Sequence, residues 1–156
     1  MHLRVAAIGQ RMPVWVNSAW QEYARRFPRS TRLDLLELPA EKRGKNADVE
    51  KLKALEGERL MASAPAAALR IALDIGGLAW STEELADQLR GWMAGGRDVW
   101  FWIGGPDGLS PQCLAVADLR WSLGPLTLPH PLVRVLLAEQ LYRAWALTQN
   151  HPYHRA

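Results

Sequence analysis

Short apolar runs alternate with longer amphipathic stretches along this chain, which is the pattern of an α/β fold. Leu3 to Ile8, Leu33 to Leu38, Leu69 to Ile75, Val99 to Ile103 and Leu119 to Leu123 have the length and apolarity of strands in a parallel sheet covered on both faces. Between them, Val14 to Phe27, Ala47 to Ala64, Thr82 to Met93 and Pro111 to Ala117 predict helices. Ser81 followed by Glu84 forms a capping box that fixes the start of the third of these, because the serine oxygen accepts from first-turn amides. The polar segment PAEKRGKN (39 to 46) predicts a mobile loop. No repeat, low-complexity tract or linker interrupts the pattern, and 156 residues suffice for one domain, 1–156, with a real core.

The last helix differs from the others. From Pro131, suited to a first helical position, its apolar residues Leu132, Val133, Val135, Leu136, Leu137, Leu141, Trp145 and Leu147 spread around most of the circumference. Glu139 and Arg143 fall on one stripe in the favourable acid-first order. A helix covered on nearly all sides needs something beyond the sheet to pack on it. A second copy of the chain is the simplest candidate, which predicts a homodimer through this helix; packing under the chain's own long loops is the alternative.

Composition narrows the class. With 49% hydrophobic and 22% charged residues, the chain reads as an ordinary globular protein, and it has no apolar run long enough to span a membrane. The N-terminal MHLRVAAIGQRMP is too briefly apolar for a signal peptide, so a cytoplasmic location is expected. A lone cysteine, Cys113, excludes an internal disulfide and multi-cysteine zinc sites, and reads as a small buried residue. The net charge of +3 permits an anionic partner without demanding one. Arg25, Arg26, Arg29 and Arg32, then Lys42, Arg43 and Lys45, form runs that suit phosphate contacts or, more plainly, a solvated mixed-charge face.

The candidate chemistry lies mostly in the last third. IGGPDGLSP (103 to 111) follows a strand and precedes a short helix, so its backbone can approach a ligand at the carboxyl end of the sheet. DIGG (74 to 77) ends the preceding strand in the same manner, and the two loops can face each other across one crevice. Neither has the Lys-Ser/Thr ending of a P-loop or the GxGxxG spacing of a dinucleotide site, which weighs against ATP and NAD. In LTLPHPLVR, Pro129 and Pro131 predict that Leu128 and His130 are held extended, offering backbone groups to a purine or simply connecting strand to helix. The terminal NHPYHR (150 to 155) is either a solvated tail or a pad in which Tyr153, His154 and Arg155 supply hydrogen-bond donors and a stacking ring. The four histidines come without a carboxylate or thiolate cluster at ligand spacing, so no metal is expected.

IGGPDGLSP, TLPHPLVRVLLAEQLYRAW and NHPYHR in this order, with PAEKRGKNAD and VAAIGQRMPVWV upstream, resemble the ribosomal RNA large subunit methyltransferase H family over essentially the whole chain. The resemblance implies a SPOUT-class α/β domain with a C-terminal trefoil knot, acting as a homodimer. It further implies an S-adenosylmethionine-dependent enzyme that methylates N3 of a pseudouridine in 23S rRNA on the assembled ribosome. By the same resemblance the cofactor would lie against Leu73, Gly104 and the segment Leu123, Gly124, Pro125, Leu126, Thr127 and Leu128. The imide proton must leave for the nitrogen to attack, which makes His154 the candidate base. Arg155 would contact a phosphate or imide oxygen, and Tyr153 would stack on or align the base, with the tail delivered from a partner chain. His130 and Arg143 would either support the pocket or serve a structural role, and Arg25, Arg26, Lys42, Arg43 and Lys45 would contact RNA phosphates. Two other classes remain open: a dimeric RNA- or ribosome-binding module without catalysis, and a SPOUT methyltransferase acting on transfer RNA.

Overall fold

The computed structural model describes residues 1–154. Its elements run β1 (His2–Ile8), α1 (Val14–Ala24), a 3-10 turn (Arg29–Thr31), β2 (Arg32–Leu38), α2 (Val49–Ser63), β3 (Leu69–Ala79), α3 (Thr82–Gly95), β4 (Val99–Ile103), α4 (Pro111–Val116), β5 (Leu119–Ser122), α5 (His130–Thr148) and a closing 3-10 turn (Pro152–His154). The five strands form one sheet in the order β2-β1-β4-β3-β5. All its pairings are parallel, with Val5 of β1 opposite Leu35 of β2 and Phe101 of β4.

Helices cover both faces of this sheet, and the strand period of two sorts the side chains between them. Leu3, Val5, Ala7, Val99, Phe101 and Ile103 pack in one cluster with Trp20 of α1, Leu85 and Leu89 of α3, and Leu137 and Leu141 of α5. Ala6, Ile8, Trp100 and Trp102 point the other way, into a cluster with Leu60 of α2 and Cys113 of α4. Burial on both faces is why VWFWI of β4 is apolar at every position. All five of its residues are buried.

The helix boundaries have local causes. Ser81 accepts from the Glu84 amide at 3.1 Å, Asp48 from Lys51 at 3.3 Å and Ser110 from Cys113 at 3.2 Å, each satisfying a first-turn donor. Helix α3 stops at Gly96, whose φ of +70° suits glycine.

Two sequence expectations need correction. The third strand does not end at Ile75: β3 leaves the ladder after Leu73 and rejoins β5 at Leu78 and Ala79, opposite Trp121 and Ser122. Gly77 makes this possible, because a Cβ there would lie 2.5 Å from the Arg120 carbonyl carbon. His130 is not extended but is the first residue of α5, with Pro131 second. The first turn of a helix needs no amide from Pro131, and the His130 imidazole is held in place by the Gly104 carbonyl and Arg134. Within one chain, α1, α3 and the closing 3-10 turn pack against α5, none of its residues is exposed, and Leu132, Val133, Val135 and Leu136 are half-buried. Leu137, Ala138 and Leu141 are buried under these neighbours, while Glu139 and Arg143 pair at 2.8 Å as their spacing predicts.

Candidate active site

At the carboxyl ends of β3, β4 and β5 the chain forms an open cleft of about 710 Å³, within the range of small-molecule sites. Its walls come from segments far apart in sequence, each positioned by a different local device.

The first wall is the loop after β4. Gly105, Pro106, Asp107 and Gly108 form a turn closed by the Gly108 amide on the Gly105 carbonyl at 3.1 Å, with Pro at the second position and Gly108 at φ +83°. The turn doubles back so closely that a Cβ on Gly104 would meet the Gly108 carbonyl carbon at 2.5 Å. On its outer side, Gly105 faces Glu56, whose carboxylate lies 2.9 Å from where a Cβ would be. Glu56 is a buried acid on α2, held by the Glu41 amide at 2.9 Å and by both guanidinium nitrogens of Arg43. Arg43 also reaches Asp107 at 3.1 Å. The hydrogen bond to Glu56 is the main reason its guanidinium is held even more firmly protonated than usual. The expected mobile loop 39–46 is therefore tied to α2 and to the glycine turn at Glu41 and Arg43. Arg43 is committed to carboxylates, while Lys42 and Lys45 stay exposed.

The second and third walls are Leu73, Asp74 and Ile75 at the break in β3, and Leu123, Gly124, Leu126, Thr127 and Leu128 after β5. The Gly124 amide bonds to Ser122 Oγ at 3.1 Å and the residue's φ of +123° turns the segment around the cavity. Pro125 belongs to this loop but does not line the cavity. The Asp74 carboxylate has no hydrogen-bond or ion-pair partner among the described residues. It was not a sequence candidate, although DIGG placed it beside the crevice.

The fourth wall is the start of α5, through Pro129, His130 and Val133. His130 Nδ1 lies 2.9 Å from the Gly104 carbonyl, and its Nε2 accepts from Arg134 Nε at 3.1 Å. An arginine only donates and a carbonyl only accepts, which assigns the proton to Nδ1. Burial, and then the Arg134 charge, push the His130 pKa below its usual value. Arg134 is fully buried, yet satisfied: it donates to Glu37 at 2.5 Å and to the Gly9 carbonyl at 2.7 Å. This chain of contacts fastens the glycine turn, the end of β1 and the end of β2 to one helix terminus. Cys113 lies outside the cavity, buried with its thiol directed at the Gly57 carbonyl at 3.4 Å, and burial raises its pKa, so it is an inert core residue.

The tail lies elsewhere. Tyr153 packs edge-on against Tyr142 at 4.8 Å, with its hydroxyl 3.4 Å from Glu139 and with the Arg26 and Arg143 guanidinium groups over its ring. Burial, followed by hydrogen bonding with Tyr23 and the Glu139 charge, pushes its pKa up to about 12. Glu139 follows His130 by nine residues, which along a helix is about 14 Å. Leu73, Gly104 and most of 123–128 are thus brought together, whereas Tyr153 does not join them within one chain. The His154 side chain and Arg155 lie outside the described residues.

Residues 1–154 match a family model described as predicted SPOUT methyltransferase. Among solved structures, the chain is similar to a probable methylase family protein from Haemophilus influenzae Rd KW20, at 14% identity and a TM-score of 0.59 over 99% of this chain and 70% of that one. A second match is the SpoU methyltransferase AviRb from Streptomyces viridochromogenes, solved in complex with the cofactor AdoMet, at 11% identity and a TM-score of 0.46 over 90% of this chain and 56% of that one. The first likeness is one of fold.

Proposed function

From the premise that this chain belongs to the SPOUT methyltransferase family, we propose that it is an S-adenosylmethionine-dependent enzyme that methylates N3 of a pseudouridine in 23S rRNA on the assembled ribosome, as a cytoplasmic homodimer with a C-terminal trefoil knot. The observation that carries the reading is the meeting of Leu73, Gly104 and the 123–128 loop on one cavity at the carboxyl end of the sheet. The lining fits the cofactor's chemistry. Leu73, Ile75, Ile103, Leu123 and Val133 offer apolar surface to a purine, the glycine turn brings main-chain groups close, and the unpartnered Asp74 carboxylate suits a cationic group. When bound, the cofactor supplies a methyl group on a positively charged sulfur.

The protein's own groups divide the remaining work. His130 has both ring nitrogens engaged, so it holds the glycine turn to α5 instead of moving protons. Tyr153 stays protonated at neutral pH and serves as a donor or stacking ring, not as the base. That leaves His154 as the proposed acceptor of the imide proton, with Arg155 stabilising the resulting anion or holding a phosphate. Tyr153 packs against Glu139 and Tyr142, which lie roughly 14 to 18 Å along α5 from His130, and this separation supports a tail that acts on a partner's cavity across a dimer. Catalysis would then come chiefly from positioning the target base in a closed site.

The test is to incubate the protein with methyl-labelled S-adenosylmethionine and ribosomes lacking the modification, then to identify the labelled nucleoside by mass spectrometry. Label in 3-methylpseudouridine of the large-subunit RNA is the expected result. Absence of transfer together with absence of cofactor binding by calorimetry overturns the reading in favour of a binding module, and label confined to transfer RNA redirects it to that substrate.

A further inference from the structure

A second cavity, of about 620 Å³, lies at the opposite end of the sheet, where β1 and β2 begin and α1 ends. Arg25, Arg29 and Arg32 line it together with His2, Gln21 and Phe27, against a single carboxylate, Asp34. The charges here are only loosely committed. Arg29 has no hydrogen bond or ion pair among the described residues. Arg32 reaches Asp34 only at 3.4 Å, and Arg25 pairs with Glu22 on the open surface, with both side chains well exposed. Exposed pairs of this kind hold weakly and exchange readily for a better anion. Arg26, by contrast, is engaged with Glu22 and lies over the Tyr23, Tyr142 and Tyr153 rings, so it is not part of this group.

The position of the cavity says what kind of anion it takes. β2 is an edge strand. It leaves the arginine cavity at Arg32 and ends at Leu38, next to the loop that carries exposed Lys42 and Lys45 and is tied by Arg43 to the glycine turn of the cofactor cavity. Its seven residues span about 20 Å. Of the two acids along it, Glu37 is paired with Arg134, and Asp34 has only the long contact to Arg32. A free phosphate would occupy one end of such a track. A polynucleotide that presents one base to the cofactor cavity would occupy both. Guanidinium forks also match phosphate oxygens in pairs.

We propose that the cavity of Arg25, Arg29 and Arg32 is an anchor for the phosphodiester backbone of the RNA substrate, gripping it at the far end of the β2 edge, about 20 Å of strand away from the loop that is tied to the glycine turn of the cofactor cavity. This rests on RNA being the substrate. It assigns to the arginine cluster an affinity role separate from cofactor binding.

The experiment measures binding of the full-length protein to large ribosomal subunits by co-sedimentation between 50 and 200 mM salt, approximate limits of the range where phosphate contacts dominate. Arg29→Gln with Arg32→Gln should lower the slope of log affinity against log salt by about 1.4 to 1.8, the value for two lost phosphate contacts. Affinity for S-adenosylmethionine by calorimetry should not change. Asp34→Asn should tighten RNA binding. If the double variant fails to fold, Arg29→Gln alone, at a side chain with no partner among the described residues, should lower the slope by about half as much. An unchanged slope overturns the anchor, and so does loss of inorganic phosphate binding with RNA binding intact. Failure of the parent protein to methylate any RNA is a different result: it removes the methyltransferase reading, while the slope still decides whether the arginines hold RNA.

Discussion

At the scale of the residue, Arg134 is the position where the fold and the site are least separable. It is a fully buried cation whose donors serve Glu37, Gly9 and His130. Arg134→Met would leave a carboxylate, a carbonyl and an imidazole nitrogen unpaired. The expected cost is about 3 kcal/mol, or roughly 10 °C in Tm for a chain of this size, read by thermal unfolding. His130 gives a pH signature. Its folded pKa lies below the ordinary 6.5. Between those two values the unfolded chain binds more protons, so stability rises with pH through the window below about 6.5 and is lost as pH falls through it. Urea titrations at several pH values should show a shallower rise for His130→Asn than for the parent; equal slopes would mean that this ring is not buried as described. Gly104→Ala puts a methyl group 2.5 Å from main-chain carbon. The turn must then move by roughly 1 Å, enough to cost on the order of 100-fold in turnover where the site works by positioning, with a weaker cofactor affinity visible by calorimetry.

At the scale of the element, the capping box yields the simplest prediction. Ser81→Ala removes the acceptor for the Glu84 amide and should cost about 1 kcal/mol, lowering Tm by roughly 3 °C. That contact was legible in the sequence because a cap is local, and so was β4, because a strand covered on both faces shows an unbroken apolar run. The full extent of β3 was not legible. Two glycines in DIGG read as the end of a strand, whereas here Gly77 lets β3 return close to β5. Helix α5 was read as covered on nearly all sides; its own α1, α3 and closing turn supply part of that cover, and Leu132, Val135 and Leu136 stay half-buried in the single chain. In the site, the glycine loops announced themselves through Gly, Pro and Asp at turn positions. The Arg134 contacts to Glu37 and Gly9 did not, since they join residues 97 and 125 positions apart. Glu56 was hidden for the same reason: nothing in a charged helix marks which acid will face an arginine from another loop.

At the scale of the whole molecule, the two halves of the proposed chemistry are kept apart in one chain, the cavity at the start of α5 and Tyr153 near its end. Deleting the residues after Asn150 should abolish methyl transfer while leaving cofactor binding intact, and mixing that deletion with a cavity variant such as Gly104→Ala should restore part of the activity if tail and cavity belong to different subunits. Absence of any recovery in mixed dimers would place both functions in one protomer. The sheet order has a further consequence, for synthesis. β4 lies between β1 and β3, so the first strand has no inner neighbour until Ile103 has been made. The charge that locks Gly9 and Glu37 arrives later still, with Arg134. At ordinary elongation speeds the whole chain takes about 8 to 30 s to emerge. For most of that time β1 can pair only with β2 and its inner edge stays open on the translating ribosome, so that completing the sheet is a late event, and nascent chains stalled before α5 should be the ones that chaperones hold and proteases cut.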